Sequence, residues 1–452
     1  MSKLIKKYNV PGPRYTSYPT VPYWEPESFS RGAWIDSVLH TFDQDPKQGL
    51  GLYIHLPYCE SLCTFCGCHK RITKRHEVES PYIDRVLQEW KIYVALLGTR
   101  PLIQEMHLGG GTPTFFSPDN LKRLVGGILE LSDRVPDADF SFEGHPNNTT
   151  REHLQALYGM GFKRVSYGVQ DYNPHVQKAI HRIQPFGNVE RVTQWSREIG
   201  YTSVGHDLIY GLPFQGQDHI RENIRLTREL APDRIAFYSY AHVPWIKGNG
   251  QRGFKESDLP GSQEKGLQFE LGRELLLGAG YRDVGMDHFA LEGDGLYRAM
   301  AQGRLHRNFM GYTTSKTKLL LGLGISSISD SWGGFAQNVK QEGEYAELLA
   351  QGDLPVVKGH ILNPEDLIIR GHILRLMCQF STQWDESEAR IIDFQAIFDN
   401  MEEMREDGLV ELGEGAIRVT PLGRPFVRNI CMAFDLKLHR KKPGTRIFSM
   451  TV

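Results

Sequence analysis

Six short apolar runs alternate with segments of helical apolar spacing in this 452-residue chain, and that alternation limits the fold more than any other feature. The runs are Gly51–Leu56, Gln104–Leu108, Asp139–Phe142, Arg164–Val169, Ser203–Tyr210 and Arg234–Tyr240. Between them, Pro81–Leu97, Ser117–Leu131, Arg151–Gly159 and Asp218–Leu230 repeat apolar residues along one helical face. Strand–helix alternation implies a parallel sheet, because a parallel neighbour is reached only through a long crossover connection. The expected fold class is α/β, an open or partial (β/α)6 barrel. A doubly wound sheet is the alternative that the pattern leaves open.

Each run ends in polar or glycine residues. Tyr53 and His55 lie in the first, and Gly109-Gly110-Gly111-Thr112-Pro113 follows the second. Glu143-Gly-His145-Pro ends the third, Gly168-Val-Gln170-Asp171 the fourth, Asp207 to Pro213 the fifth, and Tyr240-Ala241-His242 the sixth. Parallel α/β folds build their sites at the carboxyl ends of strands, so six such ends converge on one mouth. Taken singly, each end also reads as ordinary turn sequence.

The first run leads into Cys59-Glu-Ser-Leu-Cys63-Thr-Phe65-Cys66-Gly-Cys68, which holds four of the six cysteines. Three thiolates on one loop, spaced C-x3-C-x2-C, can each take one iron of a cubane cluster. The fourth iron is then open to a small molecule. A structural zinc site would join two separated ligand pairs, and Cys378 and Cys431 stand far apart without such a pattern. The loop spacing resembles that of the radical S-adenosylmethionine (SAM) enzymes. In that family the open iron binds SAM, and an electron from the cluster cleaves it to a 5′-deoxyadenosyl radical. The glycine run lets backbone approach a ligand closely, and it lacks the lysine of a phosphate loop. Beside the cysteine loop it reads as an edge for the amino and carboxylate groups of SAM. Glu143 can accept from a ribose hydroxyl or an ammonium, or be a plain surface carboxylate. Phe65 can flank adenine or pack the loop.

A formal net charge of −2 gives no general attraction to nucleic acid or anionic membrane. The start, Met1-Ser-Lys-Leu-Ile-Lys-Lys, lacks the apolar stretch of a signal peptide, and no apolar run approaches bilayer length. The chain reads as cytoplasmic, with neither nucleic acid nor membrane as a partner, and as a monomer. The basic run Lys437–Lys442 reads as a solvated tail. Beyond about residue 360 the pattern changes. Helical segments at Pro364–Cys378, Phe394–Asp407 and Pro421–Phe434 enclose a hairpin over Gly408–Thr420. This predicts a small helical, winged-helix-like domain, expected as a cap over the mouth.

Several further motifs follow in order: Tyr8–Pro19, Cys66-Gly-Cys68, Gly168–Asp171, Asp207–Pro213, Gly285–Ala290, His306–Thr314 and Arg428–Asp435. With these the chain resembles the oxygen-independent coproporphyrinogen III oxidase family over nearly its whole length. The resemblance implies a radical SAM barrel, one [4Fe–4S] cluster on Cys59, Cys63 and Cys66, and two SAM molecules. Tyr53, Gly110, Glu143 and Ile328 match positions around the first SAM. Phe65, Gly111, Thr112, Gln170, Arg182, Asp207 and Ala241 match positions around the second. Gln170, Arg182 and Asp207 could equally satisfy one another as a buried network. Cys68 matches an extra cysteine that is not a ligand. The implied reaction converts two propionates of coproporphyrinogen III to vinyls, and it needs an electron donor and an acceptor. A haem-binding chaperone and a porphyrin-modifying enzyme are the alternatives sharing the core motifs. The third strand end departs from the family pattern, reading Gly144-His145-Pro146-Asn147 where an acid and an arginine commonly flank the proline. The expected organisation is an arm over residues 1–45, a catalytic domain over 46–360 and the cap over 361–452. Arg14 and Arg307 are the candidates for clamping substrate carboxylates, with a protein carboxylate such as Asp287 as the alternative partner.

Overall fold

The computed structural model describes residues 2–244, 251, 253–441, 443–445 and 447–451. Lys442, the end of the basic run, and Met1 lie outside them. Six parallel strands form the centre: β1 (Leu50–Leu56), β2 (Leu102–Gly110), β3 (Asp133–Gly144), β4 (Phe162–Gln170), β5 (Ser203–Tyr210) and β6 (Arg234–Ser239). They stand side by side in chain order. A doubly wound sheet reverses its order at a switch point; this one does not, so the winding is that of a barrel.

The sheet is wider than six strands. Beyond β6 lie two antiparallel strands, β7 (Arg282–Gly285) at the edge and β8 (His288–Ala290) against β6. On the other side, β9 (Leu320–Leu323) adds a seventh parallel strand against β1, with Gly51 opposite Leu320. It is followed by antiparallel β10 (Ile328–Asp330), β11 (Gly334–Asn338) and β12 (Val356–Ile361). These short additions mix apolar and polar residues and carry no strict alternation that a period of two would reveal.

The helices pack in sequence: α3 (Glu79–Leu97) on α4 (Pro118–Glu130), α4 on α5 (Arg151–Gly159), and α5 on α6 (Phe186–Ile199). Further on, α7 (Gln217–Leu230) packs on α8 (Ser262–Gly278). Ser117 caps α4 by accepting from the Asn120 N–H, and Pro118 opens the helix where its missing donor costs nothing. Leu50, Leu52, Ile54 and Leu56 on one face of β1 are wholly buried, and on the other Gly51 and His55 are buried and Tyr53 half-buried, as a strand covered on both faces requires.

Within residues 31–44, α2 (Arg31–Gln44) buries Trp34, Val38 and Phe42 against α3, β11 and β12. Before it, α1 (Ser2–Tyr8) lies on α8. The stretch to Pro19 is woven into a second core: Tyr15 and Tyr18 are buried with Ile373, Met377, Ile430 and Phe434 of the C-terminal unit. In that unit α9 (Pro364–Gln379) packs on α10 (Val427–Phe434). A strand at Ser381–Gln383 joins the expected hairpin, Val410–Gly413 and Ala416–Val419. The helix expected over Phe394–Asp407 divides into Phe394–Asp399 and Glu402–Glu406 around the buried Met401. Helical structure expected from Pro421 begins only at Arg424, with a single tight turn before α10.

Inside the sheet, Glu105 on β2 is 2% exposed. One oxygen accepts from the Thr313 hydroxyl at 2.7 Å and the other has no partner. Burial, and then the negative Asp139 beside it, push the carboxyl up to about 7. The folded chain thus holds a proton that the unfolded chain releases near the ordinary value of 4.5. This contribution to stability is complete below pH 4.5 and is lost as pH rises through about 7. In Glu105→Gln the loss is absent. Its urea midpoint should therefore fall less than that of the unmodified chain between pH 5 and pH 8; equal falls would refute the assignment.

Candidate active site

A cavity of about 530 Å³ opens at the carboxyl ends of β1 to β6. The cysteine loop forms one wall, with Cys59, Cys63, Cys66 and Cys68 all lining the space. The loop is pinned at both flanks. The Arg71 N–H donates to Pro57 O and the Thr73 N–H to Cys59 O. Near its middle, Thr64 donates through its backbone to Ile180 O at 3.0 Å and through its hydroxyl to Ala179 O at 3.1 Å. Among the described residues no three His, Cys, Asp or Glu groups converge to hold one metal ion. Of the four thiols the loop presents to this space, Cys59, Cys63 and Cys66 keep the C-x3-C-x2-C spacing, a donor set suited to a cluster in which each iron takes a single thiolate.

The opposite wall begins at the glycine run. Gly110 has φ +112, and a β-carbon there would stand 2.6 Å from the His55 ring; one on Gly111 would stand 2.6 Å from the Pro57 carbonyl. Only glycine permits backbone this close to the loop. Behind it, His55 Nε2 donates to His69 O at 3.0 Å, and its Nδ1 accepts from the Tyr53 hydroxyl at 3.0 Å. Burial pulls the imidazole down to about 4, so it stays neutral while joining the start of the loop to its end. Tyr53 stacks on His107, its register partner on β2. It supports the wall without lining the cavity.

Glu143, at the end of β3, reaches the glycine run. Its Oε2 accepts from the Gly110 N–H at 3.3 Å, and Oε1 lies 3.5 Å from His107 Nε2. The side chain is 47% exposed; the water it does lose would raise its pKa, but His107 and the Gly110 N–H outweigh that and hold the carboxyl below the usual range. Asp207, at the end of β5, shows the opposite balance: burial and the nearby Glu143 push it up to about 7, against Arg182. Thr112 Oγ1 lies 3.3 Å from Cys59 Sγ. Arg182 donates to Gly168 O at 2.7 Å and reaches Cys63 Sγ at 3.6 Å. Gln170 is 8% exposed with its side-chain oxygen unpartnered, and it lines the same space.

Phe65 lines the cavity and packs on Ile180 and Tyr240. Gln251 links it to Ala241 by donating to both carbonyls, at 3.3 and 2.9 Å. Ala241 itself is not in the wall. Ile328 on β10 is not brought there either; it is 5% exposed and packs with Trp24, Phe335 and Leu362. The C-terminal unit contributes no described residue to the cavity lining. It clamps the arm. Arg428 of α10 donates to the carbonyls of Gly12, Pro13, Met450 and Thr451, and Asn429 donates to Tyr8 O.

The two candidate arginines stand one layer behind the wall. Tyr238 of β6 lines the cavity, and the Arg14 guanidinium lies 5.5 Å from its ring. Arg14 is ion-paired with Asp287, the alternative partner considered for it. Arg307 donates to Arg14 O at 3.2 Å and lies 4.7 Å from the Tyr312 ring. It is 4% exposed, its Nε and Nη1 have no partner, and no carboxylate pairs with it among the described residues. Sequence reasoning took His107 only as part of a polar strand end, and it missed Tyr238, Gln251 and the clamping role of Arg428. Tyr238 was visible only as a member of an apolar run.

Residues 53–227 match the Radical SAM superfamily. Oxygen-independent coproporphyrinogen III oxidase from Helicobacter pylori strain J99 is 36% identical over 454 residues, covering 99% of this chain and 98% of the relative. The enzyme of that name from Escherichia coli K12 is 38% identical, covering 97% and 95%. The structure of coproporphyrinogen III oxidase (HemN) from Escherichia coli, described as a radical SAM enzyme, superposes with a TM-score of 0.88 at 36% identity. It covers 96% of this chain and 98% of the other. With relatedness running end to end in both sequence and fold, the chain belongs to the oxygen-independent coproporphyrinogen III oxidase family of radical SAM proteins.

Proposed function

We propose that this chain converts two propionate side chains of coproporphyrinogen III to vinyl groups, giving protoporphyrinogen IX. The observation that carries the reading is full-length kinship with enzymes of that name, joined to a cavity walled by three loop thiols. The superfamily implies a [4Fe–4S] cluster and SAM. The donor set fits: Cys59, Cys63 and Cys66 would hold the cluster, leaving one iron for SAM. When bound, the pair supplies a carbon radical able to take a hydrogen atom from unactivated carbon.

The chain's own residues bind, orient and enclose. Gly110, Gly111 and Thr112 offer a backbone edge beside the thiols, and Glu143 faces the same space for a ribose hydroxyl or an ammonium. Tyr53 and Ile328 act from behind in this reading. Phe65, Gln170, Arg182 and Asp207 make a second polar wall that suits a second SAM, with Ala241 held next to it by Gln251. A propionate that loses a hydrogen atom, an electron and carbon dioxide becomes a vinyl group. No acid or base is needed at that carbon, so the protein's part is position and exclusion of water. The electron goes to an acceptor, and a donor must reduce the cluster.

Anaerobic incubation with SAM, a reductant and coproporphyrinogen III, read by mass spectrometry, tests this. Two successive losses of carbon dioxide with two hydrogens are expected; unchanged porphyrinogen with SAM cleaved would refute it. Arg307, buried with free donors beside Arg14, is the proposed anchor for a substrate carboxylate. A lost charge-assisted hydrogen bond is worth about 1.5–3 kcal/mol. Arg307→Ala should thus weaken porphyrinogen binding roughly tenfold to a hundredfold while uncoupled SAM cleavage persists. Unchanged affinity would leave Arg307 as an anchor of the arm alone.

A further inference from the structure

The polar wall of the cavity contains a histidine that the proposed reaction does not use. His145 follows β3 by one residue and lines the cavity with Arg182, Gln170 and Asn147. Its backbone is fixed: its N–H donates to Thr114 Oγ1 at 3.3 Å, and its carbonyl accepts from the Thr149 hydroxyl at 2.9 Å. The ring is fixed too. The Asn147 backbone N–H donates to Nδ1 at 3.1 Å. A main-chain N–H cannot accept, so Nδ1 must carry its lone pair and the ring proton must sit on Nε2. That Nε2–H has no hydrogen-bond partner among the described residues. Burial, and then the positive Arg182, hold the imidazole well below its usual pKa, so it remains a neutral donor and does not add a second charge.

A fixed neutral N–H beside a guanidinium, both facing one cavity, is a pairing suited to a carboxylate, with one partner supplying charge and the other direction. We propose that His145 donates its Nε2–H to a ligand carboxylate in this cavity, acting beside Arg182. Two carboxylate sources fit, the methionine moiety of SAM and a propionate of the porphyrinogen. The inference rests on the reading of this cavity as a SAM and porphyrinogen site. The Asn147 side chain is held independently, donating to Ile183 O at 2.9 Å and accepting from Asn188 at 2.9 Å, so loss of the imidazole leaves that turn supported.

The test uses the full chain with its cluster reconstituted without oxygen, as His145→Ala and His145→Gln. Glutamine keeps an N–H donor at the reach of Nε2; alanine does not. Equilibrium dialysis would measure SAM, decarboxylated SAM and coproporphyrinogen III. His145→Ala should weaken either SAM or the porphyrinogen about tenfold or more, and His145→Gln should recover most of it. A loss for SAM that is absent for decarboxylated SAM assigns the methionine carboxylate. A loss for the porphyrinogen alone assigns a propionate. Unchanged affinity for both ligands overturns the proposal. So does an equal loss for SAM and decarboxylated SAM with the porphyrinogen unaffected, or loss of cluster absorbance in both variants. If SAM affinity falls as expected while the unmodified chain leaves coproporphyrinogen III intact, the decarboxylation reading fails and the assignment of His145 stands.

Discussion

Serine at Cys59, Cys63 or Cys66 is expected to remove the cluster's visible absorption and all SAM cleavage, each substitution by itself. The three thiols line one wall, on a loop pinned at Pro57, Cys59 and Ile180, and the one other loop thiol facing the cavity belongs to Cys68. A cluster held by three thiolates loses an iron's anchor with each replacement, because a serine hydroxyl does not ionise to a soft ligand at neutral pH. Cys68→Ser should keep the cluster. Cys68 lies two residues beyond Cys66 and faces the same cavity, so the comparison is a strict one. Iron and sulfide content after anaerobic reconstitution, with deoxyadenosine release as the second readout, decides it. A Cys68 variant without iron would overturn the three-ligand assignment.

The second large effect concerns the arm. From sequence, a proline-rich stretch to Pro19 reads as a removable cover needed for turnover and not for folding. The structure changes that expectation. Ile5, Tyr8, Tyr15 and Tyr18 are each 5% exposed or less. Burying one such side chain is worth about 1.5–3 kcal/mol, so together they approach the 5–15 kcal/mol that holds a typical domain folded. Deleting residues 1–19 should therefore unfold the C-terminal unit, seen as exposed tryptophan fluorescence and rapid proteolysis beyond residue 360. Arg428→Ala is the graded version. It strips the donor from the carbonyls of Gly12, Pro13, Met450 and Thr451. Each buried carbonyl left without a partner costs about 1–3 kcal/mol. A lowered unfolding midpoint with the cluster retained is the expected outcome. A truncated chain as stable as the full one would show that the arm is only a cover.

The Tyr238–Arg14–Asp287 contact links that arm to the cavity. Asp287 and Arg14 stand 273 residues apart, and from sequence the pair was only one alternative to a substrate carboxylate. The same is true of Arg428 and the arm. Ion pairs and carbonyl caps of this kind depend on which surfaces meet after the sheet has formed. A motif shows that an arginine is present, but not what it touches.

What the sequence by itself determined was local and periodic. β1 to β6 fall where apolar runs stand, because burial on both faces of a parallel sheet leaves a run that reads directly. Polar residues at the ends of those runs also mark the mouth, since a crossover helix returns every strand in the same direction. The spacing of Cys59, Cys63 and Cys66 lies within one loop and needs no fold to be read. Only the assembled fold shows the pairing of β9 with β1, the antiparallel margins and the grip of the C-terminal unit on the arm. It also decided that Ile328 packs in a core, that Arg14 meets Asp287, and that His145 lines the cavity with Arg182. Each of these depends on contacts between distant segments. Their energies come from shared burial, which one segment's pattern does not record.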